Sequence, residues 1–154
     1  MRHDESTPAR LRGLPSRLLF LAATQAQRIV GDGLARAGAR QYHYALLSAL
    51  EEFGPASQAA LSDRTGIYRS DVVAALNELT RRGFVERAPD PDDRRRNVIT
   101  MTEPGRRQLH GLDALLAQAQ DDLLEPLSGS ERRELARLLD RLVGHHARRH
   151  DSRT

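Results

Sequence analysis

The sequence predicts a mainly α-helical fold with one small β-hairpin, and three observations lead there. Leucines and alanines recur at helical 3–4 spacing through most of the chain. Aromatics supply only 4% of the residues and Trp none, so the core must be built from Leu, Ala and Val, which suits helices. Two β-prone runs flank a single turn-rich loop between Gly83 and Thr102.

Taken in order, the chain reads as six helices and that hairpin. Residues 1–14 are polar and arginine-bearing and are expected to form a frayed arm. From Ser16, the run SRLLFLAATQAQRIVGDGLARAG carries Leu18, Leu19, Phe20, Ala22, Ala26, Ile29 and Val30, apolar on more than one side. A helix of this kind is either deeply buried or shared with a second subunit. Gln41 to Phe53 forms a second helix with Tyr44, Leu47 and Leu50 at helical spacing, closed by Gly54 and Pro55. Ser57 offers an N-cap to a short helix, Gln58 to Thr65, whose Leu61 points inward before Gly66 breaks it. The next helix, from about Arg69 to Arg82, gives Val72, Val73, Leu76 and Leu79 to the core. It leaves Arg69, Ser70, Asp71, Ala74 and Asn77 on or near its outer side.

Gly83 ends that helix. Phe84 and Val85 start one strand and Val98 to Thr102 form the other, with Pro89, Asp90, Pro91, Asp92 and Asp93 supplying turn chemistry. The connection is too long for a tight hairpin, so a protruding wing tipped by Arg94, Arg95 and Arg96 is expected. Thr102 caps a long helix that tolerates Pro104 in its first turn and is lined by Leu109, Leu112, Leu115, Leu116, Ala119, Leu123 and Leu124 as far as Pro126. Ser128 with Glu131 is a capping box for the last helix, where Leu135, Leu138, Leu139, Leu142 and Val143 repeat. The organisation expected is an N-terminal arm (1–14), a helical dimerisation region (15–40 and 103–148), a central region of helices and wing (41–102) and a C-terminal tail (149–154).

Composition narrows the function. The chain has 154 residues, one domain's worth of material, and no Cys, which excludes disulfides, thiolate metal sites, nucleophilic cysteine and thiol redox sensing. No apolar run approaches the roughly 20 residues of a membrane span, and the N-terminus lacks a signal-peptide core, so a cytoplasmic protein without membrane partners is expected. The formal charge is only +3, yet every basic residue is Arg. Because a GC-rich coding sequence produces the same bias, the placement of particular arginines carries the argument. No glycine-rich phosphate loop, G-x-S-x-G or H-E-x-x-H occurs, so an enzyme is not expected.

The chemistry that fits is DNA reading. A recognition helix enters the major groove with its first turns against base edges, which nominates Arg69, Ser70 and Asp71, with Ser57, Gln58 and Ala74 beside them and Tyr68 and Asn77 as phosphate or thymine contacts. Arginines of the wing tip can enter the narrow minor groove and feel its negative potential.

The order of these elements, with the block LNELTRRGFVERAPDPDDRRRNVITMTEPG, resembles the MarR family of bacterial winged-helix regulators from about residue 16 to 148. The family's wing pattern of an acidic residue, any residue, then Arg, closed by a hydrophobic-Thr pair, is matched by Asp93, Arg95, Met101 and Thr102. The resemblance implies a winged helix-turn-helix reader plus a helical dimerisation layer, a homodimer on a palindromic operator in double-stranded DNA, and no cofactor. It assigns Arg95 to the minor groove and Asp93 to shaping the wing. It also implies an effector pocket lined here by Arg17, Phe20, Leu21, Arg40, Tyr42, His43, Tyr44 and Leu47, suited to an aromatic acid or phenol. A ligand-responsive repressor is the reading that follows. Two alternatives stay open: a zinc-responsive regulator of the same fold, suggested by His43, His110 and the His146–His150 spacing, and a helical adaptor that no longer binds DNA.

Overall fold

A computed structural model describes residues 6–151, the last two by backbone alone. Among them, helices α1 (Ala9–Arg12), α2 (Pro15–Ala35) and α3 (Gln41–Phe53) are followed by strand β1 (Ala56–Ser57) and helices α4 (Gln58–Thr65) and α5 (Arg69–Arg81). Strands β2 (Val85–Pro89) and β3 (Asn97–Met101) and helices α6 (Glu103–Leu123) and α7 (Gly129–Asp151) complete the order. Two compact units divide the chain, Met1–Ala119 and Gln120–Thr154.

In the first unit the helical period brings one face of each helix to a shared core. Leu46, Leu47 and Leu50 of α3, Leu61 of α4, Leu76 and Leu79 of α5 and Leu109 and Leu112 of α6 are all buried there, with Leu34 from the end of α2. Val73, expected in this core, is 38% exposed. The inward stripe of α5 is Val72, Ala75, Leu76 and Leu79, and at 3.6 residues per turn Val73 stands about 60° beyond its edge at Leu76. The stretch expected to be a frayed arm contains the single turn of α1, started by Pro8 and tied by the Arg12 Nε donating to the Thr7 carbonyl at 2.8 Å. Residues 1–5 of that arm, and residues 152–154 of the expected tail, lie outside the described residues.

The sheet has three strands in the order β1-β3-β2, all antiparallel, one strand more than the expected hairpin. Ala56 pairs with Ile99 and Ser57 with Val98, so two residues ahead of α4 tie the wing to the helix-turn-helix. Ser57 then caps α4 as expected, its Oγ accepting from the Ala60 N–H at 3.2 Å. Gly66 closes α4 with φ of 70°, the left-handed conformation that a turn between two crossing helices needs and that glycine adopts without strain. Thr102 caps α6: its Oγ1 accepts from the Gly105 N–H at 3.1 Å and donates to the Gly83 carbonyl at 2.6 Å. At Gly105 a Cβ would run into the Phe84 carbonyl, so α6 reaches the start of the wing only because no side chain stands there.

In the second unit the capping box of α7 forms as expected. The Glu131 carboxylate accepts from the Ser128 N–H at 3.0 Å and the Ser128 Oγ from the Glu131 N–H at 3.2 Å. Arg132 reaches the Asp121 carboxylate at 2.8 Å and the Leu127 carbonyl at 3.2 Å, fixing the turn into the helix. Leu138, Leu142 and Val143 remain exposed. No described helix is long and apolar enough to cross a membrane.

Candidate nucleic-acid interface

Three elements converge on one side of the first unit: the N-terminus of α4, the N-terminus of α5 and the wing. Between them lies a cleft of about 360 Å³ lined by Ser57, Gln58, Ala59, Arg69, Arg95, Arg96 and Asn97. Ala59, in the first turn of α4, and Asn97, which opens β3 opposite Pro89, line the cleft beside the residues that the sequence nominates. The first four N–H groups of a helix lack intrahelical partners and carry partial positive charge, so α4 presents its N-terminus where three guanidinium groups gather. The combined field suits an anion.

α5 displays its expected outer residues. Tyr68, Arg69, Ser70, Ala74 and Asn77 are exposed and Asp71 is half-buried in the first turn, where a carboxylate suits the helix dipole. Tyr68 at the N-cap is 81% exposed, a large aromatic surface held in solvent. Asn77 has a protein partner: its Oδ1 accepts from Arg87 Nη1 of β2 at 2.7 Å.

The wing tip is ordered by its own carboxylates. Asp93 Oδ1 accepts from the backbone N–H of Arg95 at 3.1 Å and from its Nε at 3.2 Å. Asp90 accepts from the backbone N–H of Asp92 at 2.9 Å and from Arg96 Nη2 at 3.1 Å. The side chain of Arg95 is nonetheless 91% exposed, so Asp93 grips the near edge of the guanidinium and leaves its far edge to solvent. Arg94 is exposed on the same tip.

Behind the interface, α5 is anchored to the corner between α2 and α3. Arg82 donates to the carbonyls of Gly38 at 2.7 Å and Ala37 at 3.1 Å, satisfying acceptors left open where α2 ends. Glu78 takes Arg40 Nη2 at 2.6 Å and His43 Nε2 at 2.7 Å. His43 is 3% exposed, and its Nδ1 accepts from the Arg40 N–H at 3.1 Å, so the proton of the neutral ring sits on Nε2 and is donated to Glu78. Burial holds the imidazole below its ordinary value of 6.5, against the pull of Glu78 and with help from the charges of Arg40 and Arg82. Burial works the other way on Glu78, but the hydrogen bonds from Arg40 and His43 outweigh it and lower its carboxyl.

These contacts alter the expected effector pocket. Leu47 is sealed in the core, and both ring nitrogens of His43 are engaged, so neither offers a wall to a ligand in this state. Arg40 is committed to Glu78, and Tyr44 donates to Asp113 at 2.7 Å, a bond that with burial raises the phenol. Phe20 is 73% exposed, Leu21 and Tyr42 are exposed, and Arg17 is half-buried. Helical spacing does not distinguish a side chain that lines a pocket from one that fills the core. For zinc, His110 pairs with Glu51 at 2.8 Å, the side chain of His150 lies outside the described residues, and no described group of three His, Asp or Glu could hold a metal.

The sequence profile of the MarR family matches residues 32–96, from the end of α2 to the tip of the wing. A crystal structure from Pseudomonas aeruginosa, described as a probable transcriptional regulator, superposes with a TM-score of 0.78 at 31% identity, over 86% of this chain and 99% of that one. The chain belongs to the MarR family. This MarR-family chain is also 33% identical over 111 residues to a protein of Thauera aromatica assigned to regulation of its hcr operon, covering 72% of the chain and 64% of that protein. It thus spans less than two thirds of that relative's length. A mutant of Escherichia coli MarR complexed with operator DNA shares the fold, with a TM-score of 0.74 at 20% identity over 88% of this chain and 99% of that one. The winged helix-turn-helix expected from the sequence is therefore the observed fold, in a family of transcriptional regulators and not of enzymes.

Proposed function

We propose that the chain is a transcriptional regulator that binds an inverted-repeat operator as a homodimer and represses transcription until an effector releases it. The observation that carries the DNA reading is the cleft itself, where the N-terminus of α4 and Arg69, Arg95 and Arg96 meet beside an exposed helix face. A phosphate is the anion that this geometry fits, and the exposed start of α5 supplies side chains to base edges. The exposed wing guanidinium of Arg95 belongs in an adjacent minor groove.

The dimer follows from uncovered apolar surface. Leu14, Leu18 and Leu19 at the start of α2 are exposed in the single chain, as are Leu138, Leu142 and Val143 of α7. Helices this apolar bury that face in an assembly. Dimer symmetry then sets the operator: two recognition helices entering successive major grooves require half-sites about one helical turn apart. The effector reading rests on the accessible members of the expected set, Arg17, Phe20, Leu21 and Tyr42, which combine a cation, a phenol and apolar surface suited to an aryl carboxylate or phenol.

A footprint of the purified protein on its own upstream DNA tests this directly. Protection of two symmetric half-sites, lost on adding an aromatic acid or phenol, is the expected result. Protection of one asymmetric half-site would overturn the dimeric reading. Unchanged affinity across a millimolar panel of such ligands would overturn the effector reading.

A further inference from the structure

Asn77 and Arg87 form a contact across the wing that bears on which bases can be read. Arg87 pairs with Ile99 across the sheet and shares its strand face with Val85, which is buried, so alternation turns its side chain toward the protein. It meets α5 there: Arg87 Nη1 lies 2.7 Å from Asn77 Oδ1. A guanidinium has donors only, so the amide atom facing it must be the oxygen, and the orientation of the amide is settled by chemistry. The Nε and Nη2 of Arg87 are buried with no partner among the described residues. Asn77 Oδ1 is therefore the acceptor on which this half-buried cation depends, and turning it away would leave the charge without one.

An asparagine on a recognition helix reads adenine by using both ends of its amide, the oxygen accepting from N6 and the nitrogen donating to N7. At Asn77 one lone pair of the oxygen accepts from Arg87, a bond that turns the oxygen toward β2. We infer that Arg87 is a specificity-determining positioning residue: it holds Asn77 so that only its N–H groups face DNA, which suits a pure acceptor and disfavours the two-point reading of adenine. This rests on the DNA-binding reading above. The acceptor is a phosphate oxygen or a base atom such as thymine O4 or guanine O6, and the experiment separates the two.

Wild type, Asn77→Ala, Asn77→Asp, Arg87→Met and Arg87→Lys, each checked for folding by its thermal transition, select from a pool of random duplexes. Affinities for the wild-type consensus are then measured by anisotropy. Asn77→Ala is expected to weaken binding about tenfold, at one base position if the acceptor is a base and equally on all sequences if it is a phosphate. Asn77→Asp, which keeps an oxygen for Arg87 but has no N–H, loses at least as much. Arg87→Met frees the oxygen: a base-facing Asn77 then gains a preference for adenine, and a phosphate-facing one loses affinity toward the Asn77→Ala level. Arg87→Lys, still a donor, keeps the wild-type preference, which a merely structural role for Arg87 would not require.

The inference is overturned by a wild-type preference for adenine that disappears in Asn77→Ala, by unchanged binding in Asn77→Ala or Asn77→Asp, or by Arg87→Met matching wild type in both affinity and preference. A wild type that enriches no sequence at all would overturn the DNA-binding reading with it, whereas an enriched site with an Asn77-dependent adenine overturns this inference alone.

Discussion

Asp93 places a carboxylate among arginines at the tip of the wing, where bare electrostatics would count it against DNA binding. Its bonds to the backbone and Nε of Arg95 give it another role, since they set the direction of the exposed guanidinium. Arg95→Ala should therefore weaken binding to all operator-like sequences and reduce any preference for A·T-rich flanks, as loss of a minor-groove contact does. Arg69→Ala should instead relax discrimination at one or two major-groove positions, by about 1–3 kcal/mol if the contact is bidentate. Asp93→Ala should resemble Arg95→Ala. Quantitative binding to a set of operator variants checks all three, and tighter binding by Asp93→Ala would mean that charge repulsion outweighs orientation. His43 makes a different prediction, about stability. Its folded pKa is lowered, so below 6.5 the unfolded chain takes up a proton that the folded chain resists, and stability falls as pH drops. The slope from this one group is at most about 1.4 kcal/mol per pH unit. Glu78, also lowered, adds its own loss further into acid. Denaturant melts between pH 7.5 and 5.5 should show the fall, and His43→Gln should flatten it.

Gly105 shows how one element meets another. The first turn of α6 lies against the Phe84 carbonyl at the entrance to β2, and the Thr102 side chain bridges the same junction through the Gly83 carbonyl. The Met101 side chain beside it can swing aside, but the Phe84 carbonyl is backbone and cannot. Gly105→Ala should cost stability at or beyond the upper end of the roughly 1–3 kcal/mol typical of overpacking, even though alanine is the better helix former by about 1 kcal/mol. Thermal denaturation measures it, and a stabilised variant would show that the junction is looser than its geometry indicates. The β1–β3 pairing is the companion feature, because it couples the cap of α4 to the strand that leaves the wing tip.

For the whole molecule, the exposed leucines of α2 and α7 and the arginine cleft lead to separate measurements. The homodimer should bury more than the roughly 2,000 Å² at which permanent interfaces begin, and sedimentation at micromolar concentration should find no folded monomer. Leu138→Glu together with Leu142→Glu should break or weaken that dimer, since each would place a charge where apolar contact is expected. Operator affinity should fall steeply with salt, because each arginine–phosphate contact releases counterions. Binding indifferent to salt between 50 and 200 mM, a range over which six to ten contacts would cost about 10³–10⁵ in affinity, would remove phosphate contacts from the account.

Much of this was legible along the chain because it is local chemistry. Caps at Ser57, Thr102 and Ser128, the break at Gly66, the 3–4 spacing of leucines and the acid-x-Arg wing pattern each depend on residues within a few positions of one another. Local free-energy preferences of that kind survive translation from sequence to structure. The tertiary structure decided what depends on distant partners. Helical spacing could not show that His43 faces Glu78 across 35 residues, that Leu47 is core and not pocket wall, or that Val73 falls outside the stripe completed by Ala75. Nor could it show that the amide of Asn77 is already held by an arginine ten positions on, in another element. A side chain's chemistry is written in the sequence, but whether its lone pairs and donors remain available is set by what the fold packs against them.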